Sequence, residues 1–189
     1  MKRAITILGM LGLLWVCGAD KAAKSLSIAD IDGRKCEPLN PGEGRANVLF
    51  FVRTDCPISN GYAPEITRIE KQYGAEKINF YIVYAMRDLS EPAAREHMKE
   101  YKLAGPAIID RKHELVKAVG ATVTVEAAVI GREGKLIYLG RIDDQYAGLG
   151  KPRTVVTTHE LRDALDAVVE GKEPKVSRTK AVGCAITED

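Results

Sequence analysis

The chain has 189 residues, enough for one domain with a sizeable core, and its 46% hydrophobic and 29% charged residues are typical of a globular protein. Its 28 basic and 26 acidic residues leave a formal net charge of +2, and the basic residues form no long run. We therefore expect no nucleic-acid partner.

The first 25 residues have the pattern of an export signal followed by a short tether. A positively charged start precedes the apolar run 4–16, and small residues lead up to Ala19. Because this run is too short to span a membrane, we predict a secretory signal peptide over residues 1–19 and a polar tether over residues 20–25. Lipidation at Cys17, which would anchor the chain to a membrane, is the alternative. Both predict an extracytoplasmic, for example periplasmic, location, where disulfides persist.

A β-hairpin is the first predicted element of the mature chain. Residues Leu26–Leu39 alternate weakly in hydrophobicity and carry Asp32 and Gly33 at their centre, as a tight turn requires. Cys36 lies on the second arm. We interpret it as a small packing residue, with a partner for another thiol as the alternative.

A buried strand then leads into a helix that begins beside a cysteine. The five apolar residues Val48–Val52 predict a strand buried on both faces. Thr54 and Asp55 are both residue types that cap helices, and Pro57 suits a first helical turn. Cys56 would then feel the positive end of a helix dipole, which favours the reactive thiolate over the thiol. A buried structural cysteine is the alternative interpretation.

The rest of the chain alternates helices and strands. Helical spacing of apolar residues and capping signals predict the helices, whereas runs of β-branched and aromatic residues predict the strands. The predicted helices cover 58–73, 90–101, 113–119 and 158–168, the predicted strands cover 78–85, 106–110, 127–130 and 136–139, and 145–153 is predicted to be irregular. This order predicts an α/β sandwich with a mixed central sheet.

The strand, cysteine and helix resemble the active site of the thioredoxin superfamily. The group most similar in motif is the redoxins, which include extracytoplasmic thiol–disulfide oxidoreductases and relatives of alkyl hydroperoxide reductase and thiol-specific antioxidant. The resemblance covers residues 26–171 and implies a thioredoxin-like sandwich with an N-terminal hairpin, followed by a tail over residues 172–189. The family motif is Cys-x-x-Cys, but here Ser59 replaces the second cysteine, so no disulfide can form within the motif.

Two further positions depend on this resemblance. The family usually has a cis-proline that faces the nucleophilic cysteine and leaves backbone groups free to pair with a substrate chain. Val125 stands there by alignment, and we expect its peptide bond to be trans because a non-proline cis bond costs about 3 kcal/mol.

The tail carries Gly183, which permits a tight backbone turn, and Cys184. Similar tails in redoxin-like secreted proteins imply that Cys184 pairs with Cys56, and a free cysteine on a frayed terminus is the alternative.

The resemblance implies a thiol–disulfide oxidoreductase without a bound cofactor. The Cys56 thiolate would attack a protein or small-molecule disulfide, and Cys184 or an external thiol would resolve the mixed disulfide. Removal of residues 1–19 leaves three cysteines, so at least one of them stays free or forms an intermolecular bridge.

Three other functions stay open at this point. In peroxiredoxins, which have a similar fold, a threonine or serine lies three residues before the cysteine. Here Arg53 occupies that position and Thr54 comes one residue later. A redoxin domain that has lost its second cysteine and its cis-proline could instead serve as an interaction module.

A metal site is the third alternative. It would combine Cys56 and Cys184 with a histidine, the candidates being His97, His113 and His159. These histidines fall on three separate predicted helices, and the chain has no closely spaced cysteine pair. We therefore expect no metal site.

Overall fold

The computed structural model describes residues 26–187 of the chain. Its helices and strands follow the predicted order, with one additional hairpin near the C-terminal end. In chain order they are β1 (Ile28–Ala29), β2 (Lys35–Cys36), β3 (Ala46–Val52), α1 (Pro57–Tyr73), β4 (Ile78–Tyr84), α2 (Glu91–Tyr101), β5 (Ala107–Ile109), α3 (Glu114–Val119), β6 (Ala127–Ile130), β7 (Leu136–Gly140), β8 (Tyr146–Gly148), β9 (Lys151–Pro152) and α4 (Glu160–Val169). Short 3-10 turns cover Gly74–Glu76 and Arg132–Gly134.

A five-stranded mixed sheet forms the centre, with its strands in the order β5-β4-β3-β6-β7. β3 runs parallel to β4, and β4 runs parallel to β5. β6 runs antiparallel to both β3 and β7. The strands β1 and β2 pair separately as an antiparallel hairpin. The predicted α/β class, the mixed sheet and the N-terminal hairpin are therefore confirmed.

The central strand β3 divides the hydrophobic core into two layers. Val48 and Phe50 pack on one face of the sheet with residues of α1, α2 and α4. Leu49 and Phe51 pack on the other face with residues of α3 and of the N-terminal hairpin region. Both faces of β3 are covered, which explains the continuous apolar run Val48–Val52 within it. Cys36 lies buried in the second layer as a free thiol, as expected for a packing residue.

The ends of several elements differ from the sequence predictions. Gly74 ends α1 as predicted, but in a right-handed conformation with φ of −60°. The left-handed residue is Lys77, after the 3-10 turn. The predicted irregular segment after Asp144 contains the hairpin β8–β9, in which Tyr146 pairs with Pro152. Proline and glycine in this segment conceal the strands, because both residue types are unfavourable in strands.

The predicted export signal and tether lie outside the described residues. Across residues 26–187, none of the helices combines the length and the apolar character needed to cross a bilayer.

The carboxyl group of Glu70 on α1 is buried in surroundings that disfavour its charged form. Both of its carboxylate oxygens are shielded from solvent, and neither accepts a well-formed hydrogen bond from the described residues. Burial raises the pKa of Glu70 from its ordinary value of 4.5 to about 7, and the backbone amide of Ala104 offsets only part of this rise. Ionised Glu70 therefore destabilises the folded state.

We predict that Glu70→Gln stabilises the protein at alkaline pH and has little effect in mild acid. The folded state binds the extra proton between pH 4.5 and about 7, so the wild-type protein loses stability as pH rises through this window. Removal of the charge should increase the free energy of unfolding by about 1–3 kcal/mol near pH 9. Urea unfolding near pH 5 and near pH 9 measures the difference. The exposed Glu96→Gln serves as the control, and an equal effect of Glu70→Gln at both pH values would contradict the prediction.

Candidate active site

Cys56 connects the central strand to the helix α1. It is fully buried, and its extended backbone (φ −98°, ψ 111°) makes it the N-cap residue of α1. Its Sγ accepts a hydrogen bond from the backbone N–H of Ser59 at 3.5 Å. Pro57 is the first helical residue, where its missing N–H costs nothing. The buried strand thus places this sulfur at the positive end of the helix dipole, as predicted.

The predicted capping role of Thr54 and Asp55 is wrong. Because Pro57 takes the first helical position, the residue directly before it is the only one with N-cap geometry. The Asp55 carboxylate instead accepts two hydrogen bonds from the guanidinium of Arg53, both at 2.9 Å, and these hold the pKa of Asp55 below its ordinary value. The Thr54 hydroxyl donates to Sδ of Met86 at 3.5 Å.

A disulfide joins Cys56 to Cys184 across a sequence separation of 128 residues. The two Cα atoms are 6.2 Å apart, within the usual range for a disulfide. The pairing implied by the family resemblance is therefore present in the structure. Cys36 stays outside it, on the other side of the sheet.

The loop before β6 holds the tail in place through backbone pairing. The N–H of Thr124 donates to the carbonyl of Cys184 at 2.8 Å, and the N–H of Ile186 donates to the carbonyl of Thr122 at 2.9 Å. Val123 and Ala185 form an isolated antiparallel bridge between these bonds. The tail therefore lies against the loop as a short extra strand.

The Thr124 side chain contacts both halves of the disulfide, and sequence analysis did not identify it. Its hydroxyl donates to Cys56 Sγ at 3.2 Å and accepts a hydrogen bond from the N–H of Cys184 at 3.1 Å. Thr124 itself has no exposed surface. A buried hydroxyl that donates to a sulfur stabilises the thiolate form of that sulfur.

Val125 has a trans peptide bond, as predicted, and an unexpected backbone conformation. Its φ of 61° lies in the left-handed region, which β-branched residues rarely adopt. Hydrogen bonds on both sides impose this conformation. The N–H of Val125 donates to the carbonyl of Phe51 at 2.6 Å, and the buried Glu126 carboxylate accepts from the N–H groups of Thr122 and Val123 at 2.6 and 3.1 Å. The loop shape is thus fixed by its own contacts, at a strain cost of about 1–3 kcal/mol.

Gly183 is required by close packing. A Cβ at this position would overlap the backbone oxygen of Thr124. Any other residue would push the tail away from the loop, so the need for glycine comes from contact distance as much as from turn formation.

A polar network supports the turn that carries Cys56. The hydroxyl of Ser59 accepts from the N–H of Arg53 at 3.3 Å, and the amide of Asn60 donates to the carbonyl of Thr54 at 3.0 Å. His97 on α2 completes the network, with Nε2 at 3.0 Å from the Asn60 side-chain oxygen and Nδ1 at 2.9 Å from the hydroxyl of Tyr84. Burial lowers the pKa of His97, so its imidazole is neutral near pH 7. Both of its ring nitrogens are used structurally.

Comparisons with known proteins agree with this geometry. The Redoxin family model matches residues 20–150. The thiol-disulfide oxidoreductase ResA of Bacillus thuringiensis subsp. konkukian is 26% identical over 117 residues, which cover 62% of this chain and 66% of the relative. The chain thus spans slightly less than two thirds of that relative's length.

Two solved structures are similar in fold. A hypothetical protein of Sinorhizobium meliloti 1021 superposes with a TM-score of 0.75 at 24% identity, over 87% of this chain and 91% of that chain. A thioredoxin-like protein of Aeropyrum pernix superposes with a TM-score of 0.56 at 16% identity, over 78% of this chain and 89% of that one. These similarities confirm the thioredoxin-like fold.

We predict that Thr124→Val raises the pKa of Cys56 in the reduced protein by about one to two units, because the thiolate loses a hydrogen bond worth about 1.5–3 kcal/mol. Peptide-resolved iodoacetamide labelling as a function of pH measures the change. Cys36, whose pKa burial raises, is an internal reference that should label more slowly than Cys56. The control is Thr122→Val, because the Thr122 hydroxyl donates to Glu126 and, within residues 26–187, makes no hydrogen bond to either cysteine of the disulfide. Identical profiles for the two variants would reject the role of Thr124.

We predict that Gly183→Ala makes the disulfide easier to reduce, because the added methyl group displaces the tail from Thr124. Titration in glutathione redox buffers should show a shift of about tenfold or more in the equilibrium constant. Gly74→Ala is the matched control, since no atom lies near the position of its Cβ and its backbone is right-handed. The prediction fails if both variants titrate like the wild-type protein.

Proposed function

The chain belongs to the Redoxin family, and we propose that it is an extracytoplasmic thiol–disulfide oxidoreductase that cycles between the Cys56–Cys184 disulfide and the dithiol. The observation that carries the proposal is the disulfide itself, formed between a cysteine at a helix N-terminus and a cysteine of the docked tail. A structural bridge alone would not need a hydroxyl and a backbone N–H directed at one of its sulfurs.

In the reduced protein, the Cys56 thiolate attacks one sulfur of a substrate disulfide, and the other substrate sulfur leaves as a thiolate. The Cys184 thiolate then attacks the Cys56 sulfur of the mixed disulfide. This step releases the second substrate thiolate and closes the Cys56–Cys184 bond. Two electrons pass to the substrate, and a donor thiol must reduce the protein again before the next cycle.

Because Ser59 replaces the second cysteine of the motif, the resolving thiol must come from elsewhere, and in this proposal the tail provides it. The Ser59 hydroxyl forms no disulfide and instead bonds the backbone of Arg53. Cys184 supplies the missing thiol from the tail, which the loop before β6 holds beside Cys56. The partners in this proposal are protein or small-molecule thiols and disulfides.

The extracytoplasmic part of the proposal depends on the export signal predicted over residues 1–19. A long-range disulfide also agrees with an oxidising compartment, where such bonds persist.

Contacts near Cys56 favour disulfide exchange over peroxide reduction. Arg53 stands where peroxiredoxins carry a threonine or serine, and its guanidinium is engaged by Asp55. The Thr54 hydroxyl is engaged by Met86. Neither side chain donates a hydrogen bond to the Cys56 sulfur in the described part of the chain, so neither takes the place of the peroxiredoxin threonine beside the cysteine.

We predict that the reduced protein reduces 2-hydroxyethyl disulfide, and that Cys56→Ser abolishes the reaction. Cys184→Ser should retain the first step and accumulate a mixed disulfide on Cys56, because the resolving thiol is missing. Cys36→Ala is the control and should react like the wild-type protein. Thiol release and intact mass measure these outcomes, with hydrogen peroxide tested in parallel.

Absence of any exchange that depends on Cys56 would instead support an interaction module. Rapid consumption of peroxide that depends on Cys56 would support a peroxidase.

A further inference from the structure

We propose that a donor thiolate attacks the oxidised protein at Cys184, so that the first mixed disulfide forms on the tail and Cys56 leaves as the thiolate. This inference rests on the proposed function and deepens it, because it assigns different cysteines to the two partners. The substrate disulfide meets Cys56 of the reduced protein, whereas the donor meets Cys184 of the oxidised protein.

Access to the two sulfurs is unequal. A thiolate approaches a disulfide sulfur from the side opposite the sulfur that leaves, so exposure decides which one is attacked. Cys56 has no exposed surface and belongs to the hydrophobic core between the sheet and α1. Cys184 only packs against the edge of this core and is partly exposed. Attack on Cys56 would require a path through the core, and attack on Cys184 does not.

Stabilisation of the leaving group favours the same direction. The Cys56 sulfur receives hydrogen bonds from the Ser59 N–H and the Thr124 hydroxyl and lies at the N-terminus of α1. Across residues 26–187, no comparable donor is directed at the sulfur of Cys184. The leaving thiolate of lower pKa departs faster, so the bond breaks with its electron pair on Cys56.

A basic groove runs along the tail as far as Gly183, the residue before Cys184. The groove has a volume of about 590 Å³ and lies between the tail at Gly183 and the β8–β9 hairpin. Its charged lining side chains are Arg141, Arg153 and Lys180, with no carboxylate among them. Arg141 pairs with Glu160 and Arg153 pairs with Asp144, and both carboxylates lie outside the lining.

Lys180 of this groove is exposed and, within residues 26–187, forms no ion pair. Such a surface attracts a thiolate and any other negative charge that the donor carries near its sulfur. We therefore expect the donor to be an anionic thiol.

The exchange balances without any group beyond the donor. The donor sulfur bonds to Cys184 Sγ, the bond to Cys56 breaks, and Cys56 becomes the thiolate. A second donor thiol, in the same molecule or another, then attacks the donor sulfur of the mixed disulfide and releases Cys184. The donor ends as a disulfide, and the protein gains two electrons. The Cys56–Cys184 bond closes again when Cys184 attacks a mixed disulfide on Cys56, so under this proposal the donor and the substrate react with different sulfurs.

Mapping of the first adduct tests the proposal directly. The oxidised full chain is mixed with excess reduced glutathione and iodoacetamide, sampled at early times in acid, and analysed by peptide mass. We expect glutathione on Cys184 together with alkylated Cys56, in about tenfold excess over the reverse arrangement. Glutathione mainly on Cys56 overturns the inference and leaves the proposed function intact. A disulfide that opens at neither cysteine overturns both.

Charge variants test the approach through the groove. Lys180→Glu should slow opening by glutathione about three- to tenfold and slow opening by 2-mercaptoethanol clearly less, because the attacking thiolate of 2-mercaptoethanol carries only one negative charge. Lys175→Glu is the matched control, since Lys175 is exposed and lies outside the groove. The groove is rejected as the approach route if both variants slow glutathione equally, or if Lys180→Glu slows both thiols equally.

Discussion

The hydroxyl of Thr124 is the contact on which the arrangement of the site depends. It donates to the sulfur of Cys56 and accepts the backbone N–H of Cys184, so one buried group fixes both ends of the disulfide. The hydroxyl can do this only because its loop is rigid. The hydrogen bond from Val125 to Phe51 links the loop to the central strand. The Glu126 carboxylate accepts hydrogen bonds from two backbone N–H groups of the loop and so stabilises its conformation. The position of the tail follows from the shape of the loop.

The fold was largely predictable because local patterns agree with the global architecture. The run Val48–Val52 is apolar throughout because both faces of its strand are buried, and the same strand leads to Cys56 at the start of a helix. Pro57 fixes the first helical residue, so the sequence alone indicates that the cysteine directly before it lies at the positive end of the helix dipole. The hairpin β8–β9 was missed because its stability comes from packing on the domain, with Tyr146 against Tyr62, and its own strand propensity is low.

The site was predictable only in part. The cysteine pairing could be inferred from similarity to other tails, because no local pattern links two residues separated by 128 positions. Thr124 and Glu126 carry no sequence signal at all, since a threonine and a glutamate in a short loop have many uses. The N-cap was assigned to the wrong residues for a related reason. Asp55 and Thr54 are favourable capping types, but Arg53 and Met86 engage their side chains. Residue type gives the capacity for a contact, and only the three-dimensional neighbours decide which contact is made.

Replacement of a local cysteine pair by a long-range pair changes what the redox state controls. A disulfide within Cys-x-x-Cys closes a ring of a few residues, for which the chain-entropy model gives about 2 kcal/mol, whereas a loop of more than 100 residues gives about 5 kcal/mol. Opening of the Cys56–Cys184 bond therefore releases far more freedom in the unfolded chain, and it removes the covalent link that adds to the backbone hydrogen bonds between the tail and the loop at Thr124. Family members usually have a cis-proline in this loop, and the backbone groups beside it are free to pair with a substrate chain. Here the tail of the same molecule pairs with this loop while the bond is closed, so a substrate chain could pair with the loop only after the tail has left it.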